Sequence, residues 1–181
     1  MGFYHDGMRE LQDRYEGRAV ADRLEQHMMR CSFNEKDKAF IEGCSFFFLA
    51  TATAEHTDCS FKGGDPGFVK VISETELAWP DYDGNRMYRS LGNMLKNPNV
   101  GILFLKFAGP DGGNSAARLR VNGRARIDEG TDALSDWPGA KRRITIAADY
   151  IYPNCPRYIP KVEFFDASTY VPRKGSTPPR P

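Results

Sequence analysis

The sequence contains no long hydrophobic run and no pattern of metal-binding residues. Its longest apolar stretch, residues 46–50, is far shorter than the roughly 18–20 residues that a transmembrane helix needs. The four cysteines form no CxxC pair and have no histidine at zinc-ligand spacing. We therefore expect no membrane span and no metal site. We interpret Cys31, Cys44, Cys59 and Cys155 as ordinary thiols, buried or half-buried.

An excess of charge of one sign is also lacking. The 25 basic and 24 acidic side chains leave a net charge of +1, which gives no bulk reason to expect binding to nucleic acid or to a membrane surface. The first residues are polar without a signal-peptide pattern, so the expected location is the cytoplasm. The 181 residues predict one domain over 1–172, with a helical extension over 1–43 and a disordered, Pro-rich tail over 173–181.

What the sequence does contain is a change of hydrophobic period along the chain. Helical spacing predicts helices over 8–15 and 18–29, and Asn34 with Asp37 predicts the cap of a third helix that ends at Gly43. Aromatic and β-branched runs then predict strands with one inserted helix over 86–95. The predicted strands are 45–54, 68–73, 76–79, 100–107, 117–128, 143–152 and a short one at 161–166. This order favours an α+β fold whose antiparallel sheet closes into a small barrel.

The segment 58–71, DCSFKGGDPGFVKV, is the first candidate for a binding site. Lys62 precedes the paired glycines Gly63 and Gly64. Paired glycines can present backbone N–H groups to an anion, and a lysine beside them adds a positive charge suited to phosphate. The alternative is a surface loop that joins two strands and is tightened by glycine and proline.

The start of the inserted helix is the second candidate. Asn85 is placed to cap this helix, and Arg86 and Arg89 fall in its first turn, where the helix dipole is unfavourable to cations. A phosphate at this helix start would resolve the conflict, and Ser90 could donate its hydroxyl. The alternative is that both arginines point into solvent. Trp79 offers an aromatic face to a bound ring, or else belongs to the core.

Several segments in this order resemble a known family. They are FFFLATAT (46–53), SFKGGDPGFVKV (60–71), LAWPDYDGNRMYRSLGNMLKNPNVGILF (77–104), LRVNGRARI (119–127) and IYPNCPRYI (151–159). Together they are similar to the FMN-binding split-barrel proteins of the pyridoxamine 5'-phosphate oxidase-like family. The resemblance implies a six-stranded antiparallel split β-barrel with N-terminal helices and one inserted helix. It also implies a homodimer with two flavin sites at its interface.

The same resemblance implies which residues hold the cofactor, FMN. Basic residues would bind the phosphate, the strand 68–70 would run along the isoalloxazine ring, and Trp79 and Pro80 would lie beside the ribityl chain. The partner subunit would add Arg157 and Tyr158. The full set of expected cofactor-binding residues is Lys62, Gly63, Phe68, Val69, Lys70, Trp79, Pro80, Asn85, Arg86, Ser90, Asn93, Arg157 and Tyr158.

One departure from the family pattern bears on the substrate. The oxidases that give the family its name carry an Arg-x-His substrate motif, whereas no histidine follows His56 in these residues. The sequence therefore predicts an FMN-dependent oxidoreductase acting on another small molecule, with no catalytic residue assigned. The alternatives are a flavin-binding or storage module without turnover, and a split barrel that uses deazaflavin or haem.

Overall fold

A computed structural model describes residues 2–109, 115–130, 134–164 and 166–175. The chain forms two compact units, Met1–Arg30 and Cys31–Pro181. The first unit holds two helices, α1 (Asp6–Arg14) and α2 (Arg18–Met28), as the helical spacing predicts. Arg9 links them, because its guanidinium lies 2.6 Å from Asp22 and 3.2 Å from Glu25.

The second unit begins with α3 (Glu35–Glu42), whose predicted cap is confirmed. The side chain of Asn34 accepts a hydrogen bond from the backbone N–H of Asp37, and the carboxylate of Asp37 accepts one from the N–H of Asn34. This reciprocal capping box satisfies two N–H groups that the helix itself leaves without partners. The helix ends at Gly43, also as predicted.

The rest of the second unit is built from strands and one further helix. In chain order these are β1 (Phe46–Ala52), β2 (Thr57–Gly63), β3 (Lys70–Val71), β4 (Glu76–Asp81), α4 (Arg89–Lys96), β5 (Asn99–Lys106), β6 (Ala117–Asp128) and β7 (Arg142–Asn154). All strands join one antiparallel sheet in the order β2-β1-β5-β6-β7-β4-β3. In the described part of the chain, no helix is long and apolar enough to cross a membrane.

The α+β prediction with a mainly antiparallel sheet is confirmed, but the strand count differs. The sheet has seven strands, one more than the six that the family resemblance implies. β2 was not among the strands predicted from the sequence, but its backbone pairs along the whole length of β1. The strand predicted at 68–73 is reduced to the two residues of β3. The strand predicted at 161–166 is wrong. Its described residues contribute only an isolated bridge between Lys161 and Ala108.

The core lies on one face of the sheet. The strands supply Phe47, Leu49, Trp79, Phe104 and Ile146, all at most 1% exposed, and these belong to a single apolar cluster. Burial of such large side chains is the main contribution to the stability of a domain of this size.

A bulge bends the longest strand pair. The register of β6 against β7 shifts between Asn122 and Gly123. A Cβ atom at Gly123 would lie 2.2 Å from the carbonyl oxygen of Ala147, so only glycine allows the two strands to approach this closely.

Candidate functional site

A cleft of about 980 Å³ lies where the two ends of the sheet come together. Its walls include Lys62 from β2, Pro80 from β4, and the loop that leads into α4. Strands β2 and β4 stand far apart in the sheet order. The sheet must therefore curl to bring them to one cleft, as in a barrel that closes incompletely.

More than half of the predicted site residues line this cleft. The two candidate segments, 58–71 and the start of the inserted helix, are brought together at the same cleft. The predicted residues that line it are Lys62, Gly63, Phe68, Pro80, Asn85, Arg86 and Ser90.

Three of the other predicted residues lie in the core or pair elsewhere. Val69 is fully buried, and Trp79 is a core residue whose ring lies edge-on to Phe47 at 5.0 Å between centroids. The ammonium of Lys70 lies 2.9 Å from the carboxylate of Asp136. Of the segment 68–70, only Phe68 reaches the cleft.

The remaining three lie outside the cleft walls. Asn93 donates a hydrogen bond of 3.0 Å from its side-chain amide to the hydroxyl of Thr51, which ties α4 to β1. Arg157 and Tyr158 are exposed, Tyr158 with 93% of its surface accessible and a positive φ of 69°.

Of the paired glycines, Gly63 lines the cleft, whereas Gly64 does not offer its backbone N–H to an anion. The N–H of Gly64 donates to the carbonyl of Ser45 at 2.9 Å, so it is not open to an anion. A Cβ atom at Gly64 would lie 2.4 Å from the ring of Phe68. Gly64 is therefore needed for the close approach of an aromatic ring to the backbone. Lys62 and Gly63 are the predicted anion-binding residues of this segment that line the cleft.

The inserted helix begins later than predicted, and Asn85 does not cap it. α4 starts at Arg89, after Tyr88, whose φ is 52° and whose side chain makes no capping hydrogen bond. Asn85 instead accepts a hydrogen bond from the N–H of Met87 at 3.0 Å and so closes a turn before the helix. Arg86 therefore lies in the loop, and only Arg89 is in the first turn.

The two arginines differ in their partners. Arg89 donates from Nε to the carboxylate of Asp58 at 3.2 Å, so a side chain of the protein supplies the anion that the helix start requires. Arg86 is exposed, has a positive φ of 60° and lines the cleft. Among the described residues, no carboxylate forms an ion pair with Arg86 within 4.0 Å.

A comparison with known families places this cleft in context. Residues 33–167, more than half of the chain, match the sequence model described as pyridoxamine 5'-phosphate oxidase. The chain belongs to the pyridoxamine 5'-phosphate oxidase family. Both the resemblance stated from the sequence and the split-barrel fold class are thereby confirmed.

Solved structures can be compared with this member of the family. HupZ from Group A Streptococcus has a TM-score of 0.52 and 14% identity, over 72% of this chain and 99% of that chain. At this identity the likeness shows the fold alone. An FMN-binding protein from Syntrophomonas wolfei subsp. wolfei gives a TM-score of 0.49 and 14% identity, over 81% and 97% of the two chains. Among curated proteins, none matches the chain.

In this member of the family, the cleft contains a polar stripe that the sequence analysis did not identify. Asp58, Ser60 and Lys62 alternate along β2, so they project from the same face of the strand and line the cleft. The buried hydroxyl of Ser90 meets all three: it lies 3.0 Å from Asp58, 2.9 Å from Ser60 and 3.5 Å from Lys62. The alternation of polar residues in DCSFK was the signal that could have revealed both the strand and its cleft face.

Burial perturbs two titratable groups in the cleft. Burial lowers the pKa of the Lys62 ammonium, while the carboxylates of Asp81 and Asp58 oppose this effect. The pKa of the Tyr82 hydroxyl is raised, first by burial and then by the negative charge of Asp65. No carboxylate of the described residues forms an ion pair with Lys62 within 4.0 Å. Lys62 is thus a cation held in a partly dry site without a direct counter-ion.

Arg142, another cation of the cleft lining, is already neutralised. Arg142 donates to Asp81 at 2.8 Å and to Glu129 at 3.2 Å, and its guanidinium lies over the ring of Tyr88. These contacts raise the pKa of Arg142, chiefly through the hydrogen bond to Asp81. Among the described residues, the cations that line the cleft without a carboxylate ion-pair partner within 4.0 Å are Lys62, Arg86 and Lys141.

Proposed function

We propose that this protein binds FMN in the cleft, with the phosphate between Lys62 and Arg86. The observation that carries the proposal is that these two cations line one cleft and have no carboxylate ion-pair partner among the described residues. A phosphate dianion would supply the missing negative charge and accept charge-assisted hydrogen bonds from both side chains.

Membership of the family and the shape of the cleft support the same proposal. The volume of about 980 Å³ is at the upper end of the range usual for cofactor sites. Phe61, Met87 and Tyr88 line the cleft and are exposed, so they give it apolar surface against which a flavin ring could pack. When bound, FMN would supply hydride or electron transfer, and the protein would supply binding, orientation and the electrostatic environment.

The absorption spectrum of the purified protein tests this proposal. We expect flavin bands, either as isolated or after incubation of the stripped protein with FMN, and tighter binding of FMN than of riboflavin, which lacks the phosphate. A protein that remains colourless with FMN would contradict the proposal. Absorption bands of haem or deazaflavin would show that the protein binds one of these alternative cofactors instead of FMN.

We propose further that the bound flavin turns over, as an oxidoreductase acting on an unidentified small molecule. The competing function is flavin binding or storage without turnover. It is favoured by the cleft lining, whose described residues include neither histidine nor cysteine. Photoreduction followed by timed reoxidation with candidate acceptors distinguishes the two. Reoxidation that is no faster than that of free FMN with every acceptor would favour storage.

We propose finally that the working form is a homodimer in which a second copy contributes Arg157 and Tyr158 to each flavin site. The supporting observation is the conformation of Tyr158. Tyr158 is 93% exposed, and its positive φ is unusual for a bulky residue. A contact with a second subunit would bury this ring and offset the cost of the strained backbone.

A further inference from the structure

The strongest unassigned feature of the cleft is a half-buried carboxylate beside the proposed phosphate site. Asp58 lies on β2, its side chain is only 15% exposed, and it lines the same cleft as Lys62 and Arg86. A carboxylate so close to a phosphate would repel it. Its presence there therefore needs an explanation other than ligand contact.

The hydrogen bonds of Asp58 supply that explanation. One carboxylate oxygen accepts from Nε of Arg89 at 3.2 Å, and the other accepts from the hydroxyl of Ser90 at 3.0 Å. Arg89 and Ser90 are the first two residues of α4. Asp58 thus ties the edge strand β2 to the start of the helix that follows the Arg86 loop.

The same carboxylate also fixes the direction of the Ser90 hydroxyl. Because Ser90 donates its only proton to Asp58, its oxygen is left to accept hydrogen bonds. It lies 2.9 Å from the hydroxyl of Ser60 and 3.5 Å from the ammonium of Lys62. Asp58 therefore makes Ser90 an acceptor for Lys62, and Ser90 has no proton left to offer a phosphate.

We propose that Asp58 is a positioning residue for the anion site. Through Ser90 it holds the Lys62 ammonium in the cleft, and through Arg89 it fixes the start of α4 and so the preceding loop that carries Arg86. This inference rests on the proposed FMN site, and it assigns a role to a residue that does not contact the ligand.

The competing expectations for Asp58 have opposite signs. A carboxylate that only repels the phosphate would make FMN bind more tightly when it is removed. If the carboxylate only stabilises the fold, its removal would weaken the binding of FMN and of riboflavin equally. If Asp58 positions the anion site, its removal would weaken the binding of FMN but leave the binding of riboflavin unchanged, because riboflavin has no phosphate.

The test compares dissociation constants of FMN and riboflavin, measured by fluorescence quenching, for the wild-type protein, Asp58→Ala and Asp58→Asn. We expect Asp58→Ala to weaken FMN binding about tenfold, which is the loss typical of one charge-assisted hydrogen bond, and to leave riboflavin binding unchanged. Asp58→Asn keeps a carbonyl oxygen for Ser90 and should bind FMN more tightly than Asp58→Ala. The matched control is Asp149→Ala, which removes an exposed carboxylate paired with Arg124 at 3.5 Å.

Coupling to Lys62 provides the second measurement. If Asp58 acts through Lys62, the loss of FMN affinity in Asp58→Ala with Lys62→Met should be smaller than the product of the two single losses. Independent effects of the two substitutions, equal losses for FMN and riboflavin, or tighter FMN binding by Asp58→Ala would each overturn the inference. Wild-type protein that binds no FMN would overturn the proposed function, and this inference with it.

Discussion

At the scale of single residues, the cleft separates two arginines that look alike in the sequence. Arg86 and Arg89 were both interpreted as cations at a helix start that need an anion. The structure gives Arg89 the carboxylate of Asp58, which is 31 residues away in the sequence, and leaves Arg86 in the cleft. Local sequence reasoning identified the unmet charge, but it could not identify the partner, because that partner is brought close only by the fold.

Arg86 is therefore the residue whose loss should most affect FMN binding. We expect Arg86→Ala to weaken FMN binding about tenfold or more and to change riboflavin binding little, because the substitution removes a charged hydrogen-bond donor to the phosphate. Fluorescence titration measures both constants. Arg124→Ala is the matched control, since Arg124 is exposed and paired with Asp149. Unchanged FMN affinity in Arg86→Ala would refute the phosphate assignment.

Lys62 should make FMN affinity depend on pH. Its pKa is lowered by burial, so the ammonium loses its proton below the ordinary lysine value of 10.5. Only the protonated form attracts phosphate. The contribution of Lys62 to FMN affinity should therefore be present in full below the lowered pKa and be lost as the pH rises through it. The measurement is FMN affinity against pH for the wild-type protein and for Lys62→Met. The variant should bind FMN more weakly than the wild-type protein at pH values below the lowered pKa, and it should lose the Lys62-dependent part of the profile. Parallel profiles would contradict the assignment.

At the scale of secondary-structure elements, β2 shows where a local interpretation fails. Glycine and proline within 63–67 suggested a loop, but the preceding residues pair with β1 from Thr57 to Gly63. The polar alternation of β2 is hard to distinguish from a loop because this edge strand has few apolar residues. The inserted helix was predicted correctly in type, but its start was misplaced by three residues, because an Asx turn at Asn85 imitates a cap.

The bulge in β6 gives a stability prediction at this scale. Gly123→Ala should lower the free energy of unfolding by about 3 kcal/mol, since its methyl group would overlap the backbone carbonyl of Ala147. Chemical denaturation monitored by tryptophan fluorescence measures the effect. Gly130→Ala is the control, because no atom of the described residues beyond its chain neighbours lies within 4 Å of the Cβ position at Gly130. Equal stability of the two variants would show that the bulge can relax.

At the scale of the whole molecule, the site depends on curvature of the sheet. The cleft takes Lys62 from one end of the sheet order and Pro80 from a strand near the other end. No local pattern in the sequence indicates that these strands meet. Under the proposed function a second copy completes the site, which makes the assembly part of the binding chemistry.

Subunit complementation tests this assembly. We expect the homodimers of Arg86→Ala and of Arg157→Ala with Tyr158→Ala to bind FMN weakly at both sites. A mixed dimer of the two variants would hold one doubly altered site and one intact site, so about half of the sites should regain wild-type affinity. Light scattering establishes the dimer, and FMN titration of the differentially tagged mixed dimer counts the sites. A monomer, or a mixed dimer without recovery, would contradict the proposal.

The sequence by itself determined the types of most elements, the capped third helix, the antiparallel α+β class and the family. These follow from hydrophobic period, cap chemistry and ordered motifs, all of which are local. Only the tertiary structure decided that Trp79 is a core residue, that Gly64 accommodates the ring of Phe68, and that Asp58 is the partner of Arg89. These facts depend on which strands meet when the sheet curls, and packing between distant segments leaves no periodic signal in the chain.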